Sequence, residues 1–424
     1  MTSHPDFPLP ALSRRALLAG IAAGPLLAAL PRAAAAADPR ALTAVPGSAR
    51  LLGPEAPATE LFTYDGALPG PVLRVKAGEE LALAFANKLP EPTSLCWGGL
   101  AVPNGLAGVP GLAGAAVAPG AGADIRFTPR DAGTYLFGPF ETAQAGRGLA
   151  GVLVVEDTAP PSCDRDFVLL VQDWRVAPDQ RVHLTTNGEP APRLVARAGE
   201  RVRLRFVNAT RGLFLPLRLD DHPSWIIAID GRPSEPFPPS QGRLLLAPGG
   251  RVDLLVDLVR DPEASLPIVV ETEDGDVPLA SIAYAAQPPL RAAPLPAPTP
   301  LPGGDGIVAL GQATRVTLEF ADTPATTFAA EPLARVAGGR TVVASITNRS
   351  SLAASIHLYG HAARLLDALD DGWKPWWHDS IGLAPGRTTR LAFIAGAPGR
   401  WPIVARRGGD DVPLALAWFE ALPG

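Results

Sequence analysis

The chain has 424 residues, 47% of them hydrophobic and 19% charged, so it is long enough and apolar enough for several packed domains and is not intrinsically disordered. A formal net charge of −5 without long runs of like charge argues against nucleic acid or an anionic membrane surface as the main partner. Two Cys exclude a disulfide-built scaffold and a multi-Cys zinc or iron–sulfur site.

The first 37 residues have the pattern of an export signal. Arg14 and Arg15 precede an apolar run over 16–30, and an alanine string ends at Ala37 and offers cleavage after Ala35 or Ala37. The paired arginines resemble a twin-arginine signal, with an ordinary secretory signal or an uncleaved anchor as alternatives. We therefore expect a periplasmic protein that is not inserted in the membrane after signal cleavage.

Export would place the two cysteines, Cys96 and Cys163, in an oxidising compartment where disulfides persist. Nothing in their spacing shows that they are close in the fold. Both a disulfide and two separate thiols remain open.

The rest of the chain repeats one pattern three times, at 77–87, 198–208 and 338–348. In each copy a Gly marks a turn, residues then alternate in polarity as in a half-buried strand, and an Asn ends the segment. An Ala-Pro-Gly turn and a second alternating strand follow each copy, at 118–120, 247–249 and 384–386. This order predicts three related β-units.

Short strands with frequent Gly and Pro turns predict an all-β chain of Greek-key β-sandwiches. Composition shifts suggest domains over 38–157, 158–286 and 304–424, and a Pro-rich linker over 287–303.

Several motifs together resemble the three-domain multicopper oxidases, which include laccases and copper-resistance oxidases. They are the segment 65–71 (DGALPGP), Gly-Arg-Gly-Leu-Ala-Gly at 146–151, Ile-Asp-Gly at 229–231 and Trp-His-Asp-Ser at 377–380. The resemblance spans the whole chain after the leader and implies three cupredoxin-like domains in tandem.

The same resemblance implies a copper centre whose ligands are missing here. These enzymes need ten His and one Cys for a mononuclear and a trinuclear site, because copper prefers imidazole and thiolate. The six His of this chain cannot supply that set. Only His357 stands at a ligand position, as a vestigial one. The replaced ligand positions are Cys96, Gly98, Gly138, Phe140, Ala354, Tyr359, Val404, Ala405 and Arg406.

Arg406 places a fixed cation where copper would bind, which would repel the metal at short range. A buried Arg needs partners, and we expect Asp410 to pair with it and Tyr359 to lie nearby. We also expect side chains to refill the former copper pocket and packing alone to hold the first and third units together.

Other residues have ordinary structural interpretations. We expect His357 to be a hydrogen-bonded core or interface residue, Cys96 a buried and inert thiol, and Asp220, Asp221 and His222 a structural segment. Trp373, Trp376, Trp377 and His378 are expected on an unpaired loop or strand edge, where a role in partner binding is the alternative.

The sequence therefore predicts a protein without catalytic residues or cofactor, which binds other periplasmic proteins. It is similar to the copper-free cell-division member of the superfamily, so cell division is the expected setting. Two alternatives remain: an oxidase with degenerate copper sites, and a copper carrier or sensor, which would need clustered Met or His that this chain lacks.

Overall fold

The computed structural model describes residues 38–176, 181–219, 222–304, 306, 308–366 and 373–424. The predicted leader, with Arg14 and Arg15, lies outside them, as do Asp220 and Asp221. The described part is nearly all β-sheet, with a single-turn helix α1 (Thr142–Ala145) and 3-10 turns at Asn104–Leu106, Ser240–Gly242 and Leu310–Gln312. Within it, no helix has the length and apolar character needed to cross a membrane.

The first group of strands builds two sheets. Its members are β1 (Arg40–Ala49), β2 (Thr59–Tyr64), β3 (Val72–Lys76), β4 (Leu81–Asn87), β5 (Cys96–Trp97), β6 (Gly122–Phe127), β7 (Gly133–Gly138) and β8 (Gly151–Glu156). The sheets have the strand orders β2-β1-β4-β6 and β3-β8-β7-β5. We call this group the first domain.

The second domain follows with a six-stranded and a five-stranded sheet. Its strands are β9 (Arg165–Arg175), β10 (Val182–Thr186), β11 (Arg193–Ala196), β12 (Arg201–Asn208), β13 (Leu215–Leu219), β14 (Ser224–Ile229), β15 (Arg232–Phe237), β16 (Arg243–Leu246), β17 (Arg251–Asp257), β18 (Ser265–Thr272) and β19 (Gly275–Tyr284). The strand orders are β10-β9-β12-β17-β14-β15 and β11-β19-β18-β13-β16.

The third domain has two five-stranded sheets. Its strands are β20 (Thr314–Phe320), β21 (Arg335–Ala337), β22 (Thr341–Asn348), β23 (Ala354–Leu358), β24 (Ala363–Leu366), β25 (Trp373–His378), β26 (Ser380–Leu383), β27 (Thr388–Ile394), β28 (Gly399–Arg407) and β29 (Pro413–Leu422). The strand orders are β20-β22-β27-β24-β25 and β21-β29-β28-β23-β26.

The three repeat segments form equivalent strands, β4, β12 and β22. Each pairs in parallel with the first strand of its domain, β1, β9 or β20. Each pairs antiparallel with the strand that follows the Ala-Pro-Gly turn, β6, β17 or β27. The predicted all-β fold with three repeated sandwich units is confirmed.

The Asn that ends each repeat makes the same contacts in all three domains. The side chains of Asn87, Asn208 and Asn348 are buried, and each amide donates to two main-chain carbonyls at 2.8–3.0 Å. The glycine of the Ala-Pro-Gly turn donates its N–H to the carbonyl of that Asn at 2.8 Å in every copy. The repeated Asn therefore ties its strand to the following turn, because buried polar groups need partners.

The apolar core joins the first and third domains. Their buried side chains form one continuous cluster, which includes Trp97, Phe137, Phe393 and Trp401, whereas the second domain has its own core. Strands β5 and β7 of the first domain therefore lie beside β23 and β28 of the third. Those four strands carry or adjoin all the former ligand positions.

Candidate functional site

The ligand positions come together where the first domain meets the third. Cys96 pairs with Gly138 between β5 and β7, and His357 pairs with Val404 between β23 and β28. An antiparallel bridge between Gly98 and Tyr359 joins the two domains directly. Two positions that hold copper ligands in the family are therefore adjacent backbone partners in this chain.

A cavity of about 130 Å³ lies at this junction. Seven of the ligand positions line it, namely Cys96, Gly98, Gly138, Phe140, His357, Tyr359 and Arg406. The other three, Ala354, Val404 and Ala405, are buried and do not line it. The expectation that side chains refill the pocket is therefore wrong: the Arg406 and Phe140 side chains reach its wall, but open volume remains between them.

Arg406 is buried at the wall of the cavity. Its Nη2 donates to the main-chain oxygen of Phe140 at 3.1 Å, and its guanidinium lies 5.2 Å from the centre of that ring. The nearest carboxylate is that of Asp411, with Oδ2 3.9 Å from Nη1. This arrangement connects a replaced position of the third domain to a replaced position of the first.

The predicted pairing of Arg406 with Asp410 is wrong. Asp410 instead accepts two hydrogen bonds from Arg407, at 2.6 and 3.0 Å. Arg406 and Arg407 are neighbours in β28, which pairs regularly with β23 there, and successive side chains of a strand point to opposite faces. Arg406 therefore faces the cavity and Arg407 faces the surface turn that carries Asp410.

His357 has partners on both ring nitrogens. Its Nε2 lies 2.9 Å from Ser355 Oγ, and its Nδ1 lies 3.3 Å from Ser380 Oγ. Burial and the charge of Arg406 lower the pKa of His357 to about 3, so the ring is neutral at ordinary pH. The structure thus places it as the hydrogen-bonded interface residue that the sequence predicts.

Both cysteines are free in the described structure, so the disulfide alternative between Cys96 and Cys163 is not realised. The Cys96 thiol donates to Gly108 O with Sγ and O 2.8 Å apart. Burial raises the pKa of Cys96 well above its usual range, which keeps it a protonated thiol rather than a thiolate.

A buried charged group that sequence reasoning missed joins all three domains. Arg251 of β17 donates from Nη1 to Asp379 of the third domain at 2.6 Å. It also donates to Gly98 O and Thr134 O of the first domain, both at 3.3 Å. The expectation that packing alone holds the first and third domains is therefore wrong.

Asp230 extends this junction. Its Oδ1 accepts from the main-chain N–H of Arg251 at 2.9 Å, and its Oδ2 accepts from the main-chain N–H groups of Asp379 and Ser380 at 3.1 and 3.2 Å. The sequence analysis identified two of these segments only by their resemblance to family motifs: Ile-Asp-Gly at 229–231 and Trp-His-Asp-Ser at 377–380. The carboxylates of Asp230 and Asp379 in these segments accept the hydrogen bonds that join the domains.

The tryptophan run forms β25 at the edge of a five-stranded sheet, paired with β24. The Trp377 ring is buried, and its Nε1 donates to Gly304 O at 2.8 Å. The Trp376 ring stacks on Phe237 of the second domain with centroids 5.2 Å apart. These two rings serve contacts within the chain, which argues against the partner-binding alternative for them.

His222, the described residue of the predicted structural segment, contacts the end of the second domain's core. Its Nε2 lies 2.6 Å from the hydroxyl oxygen of Tyr284, the last residue of β19. The distance is that of a hydrogen bond between ring and phenol. The contact fits a structural residue in the second domain.

The donor atoms at the junction do not fit a copper centre. Copper in such sites takes several imidazoles and a thiolate. In the described ranges, no three His, Cys, Asp or Glu side chains lie together in a way that could hold a metal ion. The cavity instead presents one neutral imidazole, one thiol bonded to a carbonyl, one guanidinium cation and the carboxyl groups of Asp379 and Asp411.

Comparison with known proteins identifies the family to which this fold corresponds. Three multicopper oxidase family models match residues 50–160, 165–285 and 308–403. The chain is similar to multicopper oxidase MmcO of Mycobacterium tuberculosis, at 25% identity over 94% of this chain and 95% of that protein. It is also similar to cell division protein FtsP of Proteus mirabilis, at 28% identity over 49% of each chain.

A solved structure agrees with the sequence matches. The crystal structure of a multicopper oxidase from Pseudomonas thermotolerans superposes with a TM-score of 0.78 and 28% identity, over 91% of this chain and 99% of that one. The same architecture extends through all three domains, as the predicted tandem of cupredoxin-like units requires. The chain therefore belongs to the multicopper oxidase family.

Proposed function

We propose that this protein is an exported family member that binds no catalytic copper and acts in the periplasm by binding other proteins, in support of cell division. The observation that carries the proposal is the junction itself. Gly98 and Tyr359 pair through their backbones, and Arg406 donates to Phe140 O. Contacts between protein groups stand where the family's oxidases place metal ligands.

Electrostatics support the absence of copper. The Arg406 cation is buried and has no carboxylate within hydrogen-bond distance, because Asp411 lies 3.9 Å away. A second cation in such a site would meet repulsion of several kcal/mol, about 4 kcal/mol for two unit charges 4 Å apart at an effective dielectric constant of about 20. Copper binding would require the guanidinium to move or the fold to open.

The cell-division part of the proposal rests on the relatives. The match to FtsP covers about half of both chains, so the role of that protein is an expectation for this one. The match to MmcO covers nearly the whole chain and favours the alternative, an oxidase with a reduced copper set. The donor set argues against that alternative, since it lacks the thiolate and the imidazoles that copper requires.

Localisation in the native cell tests the cell-division role. A fluorescent fusion of the full chain, exported through the leader that contains Arg14 and Arg15, should collect at the division site. A matched variant with both arginines changed to Lys should stay inside the cell and show no such signal. Uniform periplasmic fluorescence, together with normal septation of a deletion strain under envelope stress, would contradict the role.

A further inference from the structure

The cavity between the first and third domains has the size of a small organic molecule. Its volume is about 130 Å³, and one water needs only about 10–15 Å³ by this measure. An apolar cavity of about 150 Å³ in another protein holds benzene. The space left by the absent metal ligands is therefore large enough for a compact ligand with an aromatic ring.

One side of the cavity offers unused hydrogen-bond donors. A guanidinium has five N–H donors. Arg406 donates to Phe140 O and also bonds the Tyr359 hydroxyl, so these two bonds use two of the five. The Asp411 carboxylate is too distant to accept a short bond, at 3.9 Å. A buried cation with spare donors at the wall of a cavity can bind an anion. A carboxylate is preferred, because its two oxygens can accept two parallel hydrogen bonds from the planar guanidinium.

Asp411 is the one neighbouring carboxylate that partly offsets this cation, from 3.9 Å and without a short hydrogen bond. Burial and Arg406 itself keep His357 uncharged at ordinary pH. Asp379 is held by Arg251 and by the Ser380 hydroxyl, so its charge is already matched. The phenol of Tyr359 is protonated, because burial raises its pKa to about 12, and it can donate a further hydrogen bond beside Arg406.

Apolar side chains form another part of the cavity lining. They are Leu136, Phe137, Phe140, Leu149 and Leu358. The Phe140 ring contacts Tyr359, with centroids 5.8 Å apart, and lies under the Arg406 guanidinium. A ligand with one charged group and a flat apolar body would match both the guanidinium and these apolar side chains.

From this arrangement we propose that the cavity is a binding site for a small aromatic or branched aliphatic monocarboxylate, whose carboxylate pairs with Arg406 and Tyr359 while its body packs against Phe140 and Leu358. The site goes beyond the proposed function. It rests on that function in one respect, that no copper cluster fills the cavity.

The carboxylates near the cavity favour a single negative charge on the ligand. Asp411 and Asp379 both line the space, and a dianion would approach them with one charge that Arg406 does not match. Burial raises the pKa of Asp411 to about 6, which limits its competition for the guanidinium in mildly acidic solution. Phosphate and sulfate dianions are therefore poor candidates.

Calorimetric titration of the purified full-length protein, after its metal content is measured, tests the proposal. Sodium benzoate should bind at least about tenfold more tightly than benzyl alcohol, which has the same ring without the charge. Equal affinity would reduce the site to an apolar pocket and overturn the carboxylate assignment. No binding of either compound at millimolar concentration would overturn the site itself.

Substitutions of Arg406 and Arg407 test whether benzoate binds in the cavity. Arg406→Met should weaken benzoate binding about tenfold or more and leave benzyl alcohol binding nearly unchanged. Arg407→Met is the matched control, since Arg407 pairs with Asp410 outside the cavity. Arg406→Lys keeps the charge if the Met variant fails to fold, and it should retain part of the preference for benzoate.

A cavity-filling variant adds an independent readout. Ala145→Leu on α1 should weaken both compounds, because Ala145 lines the space. Unchanged binding in this variant and in Arg406→Met would place benzoate elsewhere and overturn the proposal. A copper-loaded protein would be recognised from the metal analysis, so failure of the copper-free proposal is distinguishable from failure of the ligand site.

Discussion

Arg251 Nη1 and Asp379 Oδ1 lie 2.6 Å apart, and both side chains are buried where the three domains meet. The pair connects the second domain to the third, and Arg251 reaches the first domain through Gly98 O. In a metal-loaded relative, shared copper ligands would link the first and third domains. We infer that this ion pair and the Gly98–Tyr359 bridge provide that link here.

Removal of one member of the pair should be costly. Asp379→Asn removes the carboxylate closest to the buried Arg251 cation and leaves Asp230 at 3.7 Å, so we expect a loss near the lower end of the about 3–5 kcal/mol for breaking a buried pair. Urea unfolding followed by tryptophan fluorescence measures the loss. Asp410→Asn is the control, because its pair with Arg407 is at the surface and partly exposed, and contributes about 1 kcal/mol. An unchanged midpoint for Asp379→Asn would show that the carboxyl carries no charge in the folded state.

Gly99 should tolerate no side chain. Its φ is +66°, and a Cβ there would come within 1.6 Å of Asp379 Oδ2, so Gly99→Ala must displace the ion pair. We expect a loss of at least about 4 kcal/mol in the free energy of unfolding. Gly111→Ala is the matched control: its φ is +82° but its Cβ would meet open space, which predicts about 1–2 kcal/mol. Equal losses at both positions would contradict the close packing around Asp379.

His357 should make the protein sensitive to acid. Its pKa in the folded chain, about 3, lies below the unfolded value near 6.5. Between these pH values the imidazole is protonated in the unfolded chain and neutral in the folded chain. Stability is therefore present above about pH 6.5 and is lost as the pH falls toward 3. Between pH 6.5 and 4 the natural protein should lose about 3 kcal/mol more than His357→Gln. Parallel stability curves for the two proteins would contradict a buried neutral imidazole.

The fold could be predicted because its signals are local and repeated. The Gly turn, the alternating strand and the closing Asn recur three times, and Asn87, Asn208 and Asn348 make equivalent contacts. The replaced ligand positions could also be found, because they sit at fixed places in motifs. The repeat implies the strand pairings within each domain, and the contact between the two domains that brings seven of the positions to one cavity comes from the structure.

The junction could not be predicted in the same way. Arg251 and Asp379 are 128 residues apart, and no local pattern relates a strand of the second domain to an edge of the third. The partner of Arg406 depends on its place in β28, which directs its guanidinium to the first domain and that of Arg407 to Asp410. The volume of the cavity depends on how side chains from the first and third domains pack against each other. The identities of the replaced ligands alone do not predict that volume.

Copper content tests the central claim most directly. The full chain should be exported by its native host grown with copper, purified without chelators, and analysed for copper per chain together with its visible absorption. We predict well under one copper ion per chain and no blue copper–thiolate band, because the cavity has a buried guanidinium and, as soft copper donors, only one thiol bonded to Gly108 O and one imidazole. A blue protein that carries a full set of copper ions would contradict the account.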